Sequence, residues 1–221
     1  MLSKDGCLSG DFWWQVNDNL EAVGLTIFKE QLASQLGRLT ATSLYDLAEY
    51  VNGTSFSADE YAADGLPIIK IAELKDGITA STQYFNGQKD KKYLIHDAEI
   101  LFSWSGNPDT SIDTFIWSHG DAILNQHTFK MVPYHGRAFT YFMLKYSKPE
   151  FVKAAMGKQT TGLGHVTVKD LKRLTIPFSK EFALSFNRMS LPLLDSMFVN
   201  LKEINTLIEI RKQLVMRIST L

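Results

Sequence analysis

Apolar residues recur at helical spacing near both ends of this sequence, whereas the middle alternates over short runs. The strongest pattern lies in residues 190–221, where two seam positions repeat every seven residues. One seam consists of Leu194, Leu201, Ile208 and Val215, and the other of Met197, Ile204, Arg211 and Ile218. The pattern predicts one long helix that pairs with another helix and has Ser190 as its N-cap. An ordinary core helix is the alternative interpretation.

A shorter helix is predicted near the N-terminus. Asn17 or Asp18 is a suitable N-cap, apolar positions follow at helical spacing, and Gly37 ends the pattern. Residues 1–16 are predicted to be irregular, with the aromatic cluster 12–14 docked on the core or on another surface. Because both terminal helices have an apolar face, we expect them to pack on each other.

The middle of the chain, residues 38–188, is predicted to be one mixed α/β domain. Helices are predicted at 44–51, 136–147 and 150–155, the last two separated by Pro149. Strands are predicted at 66–74, 78–85, 99–104 and 122–131. The predicted fold class is therefore α+β: a tail and a coiled-coil-like spacer helix within 1–37, and a C-terminal spacer helix at 189–221, flank the central domain.

Composition changes this picture only modestly. The net charge of −1 means that no basic field surrounds the whole protein, although a local basic face is still compatible with it. The single cysteine, Cys7, excludes a disulfide within the chain and suits a reducing compartment. No apolar run approaches the length of a membrane span. We therefore expect a cytoplasmic protein that does not enter a membrane.

Catalytic signals are weak. The five histidines are scattered, and none stands at metal-ligand spacing with a cysteine or a second histidine. The segment 157–161 resembles a phosphate-binding loop, but the first glycine is missing and neither Ser nor Thr follows Lys158. We predict no catalytic residue, no metal and no cofactor.

Polar, cation-bearing stretches are the stronger candidates for function. Lysines contact phosphates, whereas Asn and Gln read the edges of bases. The candidate DNA-binding residues are Asn86, Gln88, Lys89, Lys91, Lys92, Ser105, Asn125, Gln126, Lys158, Gln159, Thr160, Thr161, Gly162 and His165. Lys169, Lys172 and Arg173 add positive charge nearby. Each residue taken singly is also explained as part of a solvated surface.

Five stretches together resemble the target-recognition domain of type I restriction-modification specificity (S) subunits. They are residues 44–56, 65–74, 97–106, 124–131 and 157–177. The flanks 16–32 and 191–221 resemble the two parts of that family's helical spacer. The resemblance implies a subunit that reads DNA sequence without catalysis of its own, the methyltransferase and nuclease activities belonging to partner subunits. A full specificity subunit resembles two such domains, so this chain looks like a half subunit or a fragment of a longer one.

The implied partners are double-stranded DNA, a modification (methyltransferase) subunit and, as an open question, a restriction subunit. The seam also predicts a homodimer that reads a bipartite, inverted site. The predicted dimerisation residues are Leu194, Met197, Leu201, Ile204, Ile208, Val215 and Ile218. A helical-arm module that binds another protein without DNA specificity remains the alternative, and a small-molecule enzyme is disfavoured by the weak catalytic signals.

Overall fold

The structure, a computed structural model, describes residues 10–35, 37–158 and 163–219. The helices in these ranges are α1 (Gly10–Ser34), α2 (Ile71–Asp76), α3 (Pro108–Ser111), α4 (Arg137–Met156), α5 (Val168–Arg173) and α6 (Lys180–Ile218). The strands are β1 (Thr40–Ser43), β2 (Ala48–Asn52), β3 (Leu66–Ile69), β4 (Tyr84–Phe85), β5 (Leu94–Ile95), β6 (Ile100–Ser103), β7 (Ser105–Gly106), β8 (Asp113–Ile116), β9 (Ala122–Leu124), β10 (Thr128–Pro133), β11 (Gly164–His165) and β12 (Thr175–Phe178).

Helix α6 is longer than predicted. It begins at Lys180, where the Ser179 side chain accepts a hydrogen bond from the Phe182 amide, and it runs for 39 residues. The prediction that Ser190 caps the helix is wrong, because Ser190 is fully buried inside it. Helix α1 likewise begins at Gly10, so the aromatic cluster 12–14 is helical rather than irregular.

The predicted packing of the two terminal helices is confirmed. They run antiparallel, and Asn17 on α1 joins them by donating from Nδ2 to the Met197 carbonyl at 3.2 Å. Asn17 also accepts from Asn200 at 2.8 Å. Further along, Phe28 of α1 is wholly buried among aromatic rings from α4 and α6. Its ring partners, at centroid distances of 4.9–6.0 Å, are Phe139, Tyr146, Phe182 and Phe186.

An ion network fixes α1 against the central domain. The Lys145 ammonium of α4 lies 3.1 Å from the Glu21 carboxylate and 3.0 Å from the Asp113 carboxylate of β8. Lys148 contacts Asp113 at 2.6 Å, and the Tyr141 hydroxyl donates to Glu21 at 2.5 Å. Because Lys145 is only 12% exposed, its charge is largely removed from water and depends on these carboxylates.

Within the described residues, two four-stranded sheets form the central domain, alongside the two-stranded sheets β1-β12 and β7-β11. The first has the order β2-β10-β6-β8 and is antiparallel throughout. The second has the order β4-β3-β9-β5 and includes one parallel pair, β3 with β9. Strands β9 and β10 belong to different sheets and are joined by a turn at 125–127. The prediction of one strand over 122–131 is therefore wrong.

Other elements of the domain also differ from the prediction. Residues 44–51 form a short 3-10 turn, Leu44–Leu47, followed by β2 rather than by more helix. The stretch 66–74 is a strand only as far as Ile69, after which α2 begins. Helix α4 continues through Pro149, because tertiary packing buries most of its apolar side chains on both sides of the proline. The predicted strand at 99–104 is confirmed as β6.

The seam of α6 is divided between the chain's own core and its surface. Leu194, Met197 and Ile204 are at most 4% exposed within this chain. They are removed from the predicted dimerisation set, because a side chain buried in its own core is not available to a partner. In contrast, Ile208, Val215 and Ile218 are 43%, 54% and 71% exposed. Among the described residues, no helix is both long and apolar enough to cross a membrane.

Candidate nucleic-acid interface

The polar loops gather at one end of the antiparallel sheet β2-β10-β6-β8. Strands β2 and β6 end there and strands β10 and β8 begin there, as the pairings Asn52 with Phe129, Thr128 with Ser103, and Ser103 with Asp113 show. The opposite end of the same sheet faces α6, where Lys202 contacts Asp97 at 2.7 Å. We call the first end the distal rim and define it as residues 52–57, 104–107, 125–127 and 163–167.

Main-chain hydrogen bonds hold the loops of the distal rim together. The Thr54 amide donates to the Leu124 carbonyl at 2.9 Å, which fixes loop 52–57 beside the turn 125–127. The Val166 amide donates to the Trp104 carbonyl at 2.8 Å, and β7 pairs with β11. That pairing places Ser105 opposite His165, so two predicted residues that are distant in sequence become neighbours.

The predicted loop 86–92 adjoins the distal rim through Lys89. The Lys89 ammonium donates to the Ser55 carbonyl at 3.3 Å and lies 2.5 Å from the Glu60 carboxylate. It also lies 5.0 Å from the centroid of the Phe56 ring. The hydrogen bonds from Lys89 and the Ser57 amide lower the pKa of Glu60 to about 2. Lys89 therefore holds two loops together and is not a freely exposed cation.

The rest of loop 86–92 is more open to solvent. Gln88, Lys91 and Lys92 are exposed, and Lys92 lies 3.3 Å from Asp90. Asn86 is also exposed, with its amide donating to the Asp64 carboxylate at 3.0 Å. Gln88, Lys91 and Lys92 thus present polar or positively charged groups at the side of the distal rim.

Asn125, a predicted DNA-binding residue, is buried in the structure rather than exposed to a ligand. It is 8% exposed, and its side-chain oxygen accepts from the His127 amide at 3.4 Å. A Cβ at Gly53 would lie 2.2 Å from the Asn125 carbonyl oxygen, so the two main chains are in close contact. Asn125 therefore shapes the turn, whereas its neighbours Gln126 and His127 are exposed.

Lys158 forms an ion pair with a buried carboxylate. Its ammonium is hydrogen-bonded to Asp170, whose side chain is 5% exposed, and it lies 3.3 Å from the Thr167 hydroxyl. Burial acts to raise the pKa of Asp170, but the bonds from Lys158 and Thr167 outweigh it and hold that pKa below its usual range. Gln159, Thr160, Thr161 and Gly162 lie outside the described residues.

Helix α5 presents the exposed cations that sequence reasoning noted but did not select. Lys169 and Lys172 are exposed, and the Lys172 ammonium lies 4.7 Å from the centroid of the Tyr45 ring. Arg173 is 69% exposed and lies 3.4 Å from Asp170. Their closeness in sequence to the segment 157–165 was readable from the sequence, but their place on one short helix and the distance to Tyr45 were not.

Asn52 and Trp104 were missed entirely. The Trp104 indole N–H donates to the Asn52 side-chain oxygen at 3.1 Å, and the Trp104 ring centroid lies 5.6 Å from that of His127. Asn52 is exposed at the end of β2. Because only the strand register brings these residues together, no local sequence signal pointed to them. Within the described ranges, no three His, Cys, Asp or Glu side chains group as a metal site.

Residues 40–180 match the type I restriction modification DNA specificity domain. The chain belongs to that family. The matched segment contains the whole distal rim and both of its cationic flanks, loop 86–92 and α5. The resemblance seen in the sequence is thereby confirmed. The matched domain lies between helices α1 and α6.

Solved structures give a second comparison. The chain is similar to the type I restriction-modification S subunit from M. genitalium, with a TM-score of 0.57 and 13% identity over 92% of this chain and 56% of that one. It is also similar to the HsdS subunit from Thermoanaerobacter tengcongensis, with a TM-score of 0.47 and 13% identity over 87% and 52%. The chain spans just over half the length of these structures. The first likeness confirms the mixed α+β fold with a long C-terminal helix. No curated protein matches the sequence.

Proposed function

We propose that this chain is the DNA-reading part of a type I restriction-modification specificity subunit, and that the distal rim binds double-stranded DNA. The observation that carries the proposal is the family match over 40–180, which encloses a rim of exposed polar side chains flanked by cations. Exposed Lys91 and Lys92 on one flank, and Lys169, Lys172 and Arg173 on the other, supply phosphate contacts. Gln126, His127 and the pair Ser105 and His165 lie between the flanks. The chain itself supplies recognition and no catalysis.

In this proposal the exposed end of helix α6 serves the assembly of subunits. The last turns of α6 expose apolar side chains, among them Ile208, Val215 and Ile218, which suit pairing with a second copy of the helix. Leu201, half-buried against the core, borders this surface. A modification subunit, and a restriction subunit where one exists, binds the resulting scaffold.

The proposed homodimer has a two-fold axis, so its two rims read the same bases on opposite strands. The part of α6 from residue 191 to Ile218 is about 42 Å long, which corresponds to roughly 12 base pairs. We therefore expect two inverted half-sites with centres on the order of 10–14 base pairs apart.

The test is to express this chain with its modification subunit and to map methylated bases across the host genome. The proposal predicts one interrupted motif with inverted halves. An asymmetric motif contradicts the symmetric dimer. It favours a chain that is one part of a longer specificity subunit with two different recognition domains. Absence of any motif, together with binding to the modification subunit, favours the alternative of an interaction module.

Variants of α6 test the arm separately. Val215→Asp with Ile218→Asp places carboxylates on the exposed seam and should yield monomers by sedimentation at micromolar concentration. The matched control is Lys212→Asp, which changes charge on the same turns outside the apolar seam. If both proteins sediment like the wild type, the exposed seam is not the dimer contact.

A further inference from the structure

Asn52 is held in one orientation by Trp104. An indole N–H is a donor only, so the Asn52 atom that faces it at 3.1 Å must be the oxygen of the amide. Trp104 is itself fixed, since its carbonyl accepts from the Val166 amide and its ring packs 5.8 Å from that of Phe129. The Asn52 amide therefore has a defined donor end and a defined acceptor end.

The donor end is available to a ligand. Asn52 is exposed, and no described residue accepts a hydrogen bond from its Nδ2. Its oxygen has two lone pairs, of which the indole uses one. The side chain thus offers one donor and one acceptor side by side, and because it is already oriented, little rotamer freedom is lost on binding.

The surroundings match a base edge better than a phosphate. Asn52 carries no charge, and its exposed neighbours Gln126 and His127 are also hydrogen-bonding groups. The phosphate-binding cations lie on the flanks, at α5 and loop 86–92. A central uncharged patch between flanking cations has the arrangement expected when phosphates position the DNA and the centre reads bases.

We propose that Asn52 reads one adenine in the major groove, with Trp104 as the residue that positions it. The free Nδ2 donates to adenine N7, and the second lone pair of Oδ1 accepts from the N6 amino group. This inference rests on the proposed function, because it assigns a base-reading role within the proposed DNA-binding rim.

The experiment uses the full chain purified with its modification subunit, and a set of target duplexes in which each base pair is changed in turn. For the wild type we expect one A·T position in each half-site at which replacement costs roughly 5–150-fold in affinity. Asn52→Ala should abolish discrimination at that position alone, with unchanged affinity for unrelated DNA and an unchanged salt dependence.

Two further variants separate reading from folding. Asn52→Asp keeps an oxygen for the indole but loses the donor, so the preferred base should change from adenine to cytosine, whose amino group an aspartate accepts. Trp104→Phe keeps an aromatic ring in contact with Phe129 but removes the indole N–H, so discrimination should weaken at the same position. Trp14→Phe, on the distant α1, is the matched control and should leave every preference unchanged.

The outcomes distinguish the two proposals. A wild-type complex without any sequence preference overturns both the proposed function and this inference. A selective wild type whose preference survives Asn52→Ala and Asn52→Asp overturns the reading role of Asn52 alone. A loss that Asn52→Ala spreads equally over all duplexes also overturns it.

Discussion

Lys145→Met tests how firmly α1 is fastened to the central domain. The substitution keeps a side chain of similar length but removes the ammonium that lies 3.1 Å from Glu21 and 3.0 Å from Asp113. Those carboxylates are only 27% and 20% exposed, so water replaces the lost partner incompletely. Lys148 still neutralises Asp113, whereas the one bond that Glu21 keeps from the described residues is that from Tyr141.

Removing one partner of a fully buried ion pair costs about 3–5 kcal/mol, and the partial exposure here reduces that to about 2–4 kcal/mol. With a urea dependence of about 2–3 kcal/mol per molar, the unfolding midpoint should fall by roughly 1–2 M. Lys153→Met on the exposed side of α4 is the matched control, and its effect should stay within about 0.5 kcal/mol.

The pH dependence gives an independent check. Burial acts to raise the pKa of Asp113 and to lower that of Lys145, but their mutual attraction, helped by Lys148 and Glu21, outweighs burial. The net pKa of Asp113 is lowered and that of Lys145 is raised. The contribution of this ion pair to the free energy of unfolding is therefore fully present above the unfolded aspartate pKa of about 3.9 and below the unfolded lysine pKa of about 10.4. It is lost as pH falls through the folded pKa of Asp113 or rises through that of Lys145.

We therefore expect the stability gap between wild type and Lys145→Met to be largest near neutral pH and to shrink in acid. Urea titrations followed by circular dichroism at pH 7 and near pH 3 measure it. Equal stability of the Lys145→Met and Lys153→Met proteins at pH 7, or a gap that widens in acid, would refute the reasoning.

Three further outcomes are expected. Phe28→Ala removes the ring shared by α1, α4 and α6 and should cost about 3–5 kcal/mol in urea unfolding, whereas Val23→Ala, 48% exposed on the same helix, should cost far less. Gly53→Ala drives a methyl group into the Asn125 carbonyl and should lower the melting temperature, whereas the methyl group of Gly157→Ala comes no closer than 3.7 Å to any described residue outside its neighbours and should be nearly neutral. Lys172→Ala should weaken binding to all DNA sequences alike and lower the slope of log affinity against log salt by about one in titrations; an unchanged slope would exclude a phosphate contact.

The terminal helices were predictable because their apolar periodicity is long, with Arg211 the one charged residue on the two seam positions of α6. The start of α6 was missed because Ser190 and Pro192 resemble a helix beginning, although Phe182 and Phe186 already continue the helical spacing upstream. Pro192 is tolerated inside the helix, as Pro149 is inside α4. Local start signals were thus overridden by burial of the preceding aromatic face.

The site was only partly predictable for a different reason. Polar composition pointed to loop 86–92, the turn 125–127 and the segment that begins at Lys158, but not to which side chains face outward. Lys158 and Asn125 turned inward because a buried carboxylate and a tight turn required them. The contact between Asn52 and Trp104 spans 52 residues and depends on strand register, which no local pattern reveals.

Site-specific crosslinking tests the central claim most directly. A photoreactive amino acid replaces Gln126 on the distal rim or, in a second protein, Val199, which is 61% exposed on α6. Each protein, complexed with the modification subunit, is irradiated with radiolabelled DNA carrying the methylated motif. We predict strong crosslinking from position 126 that unlabelled motif DNA competes away, and little from position 199. Crosslinking from position 199 with none from position 126 would contradict the assignment of the distal rim as the DNA-reading surface.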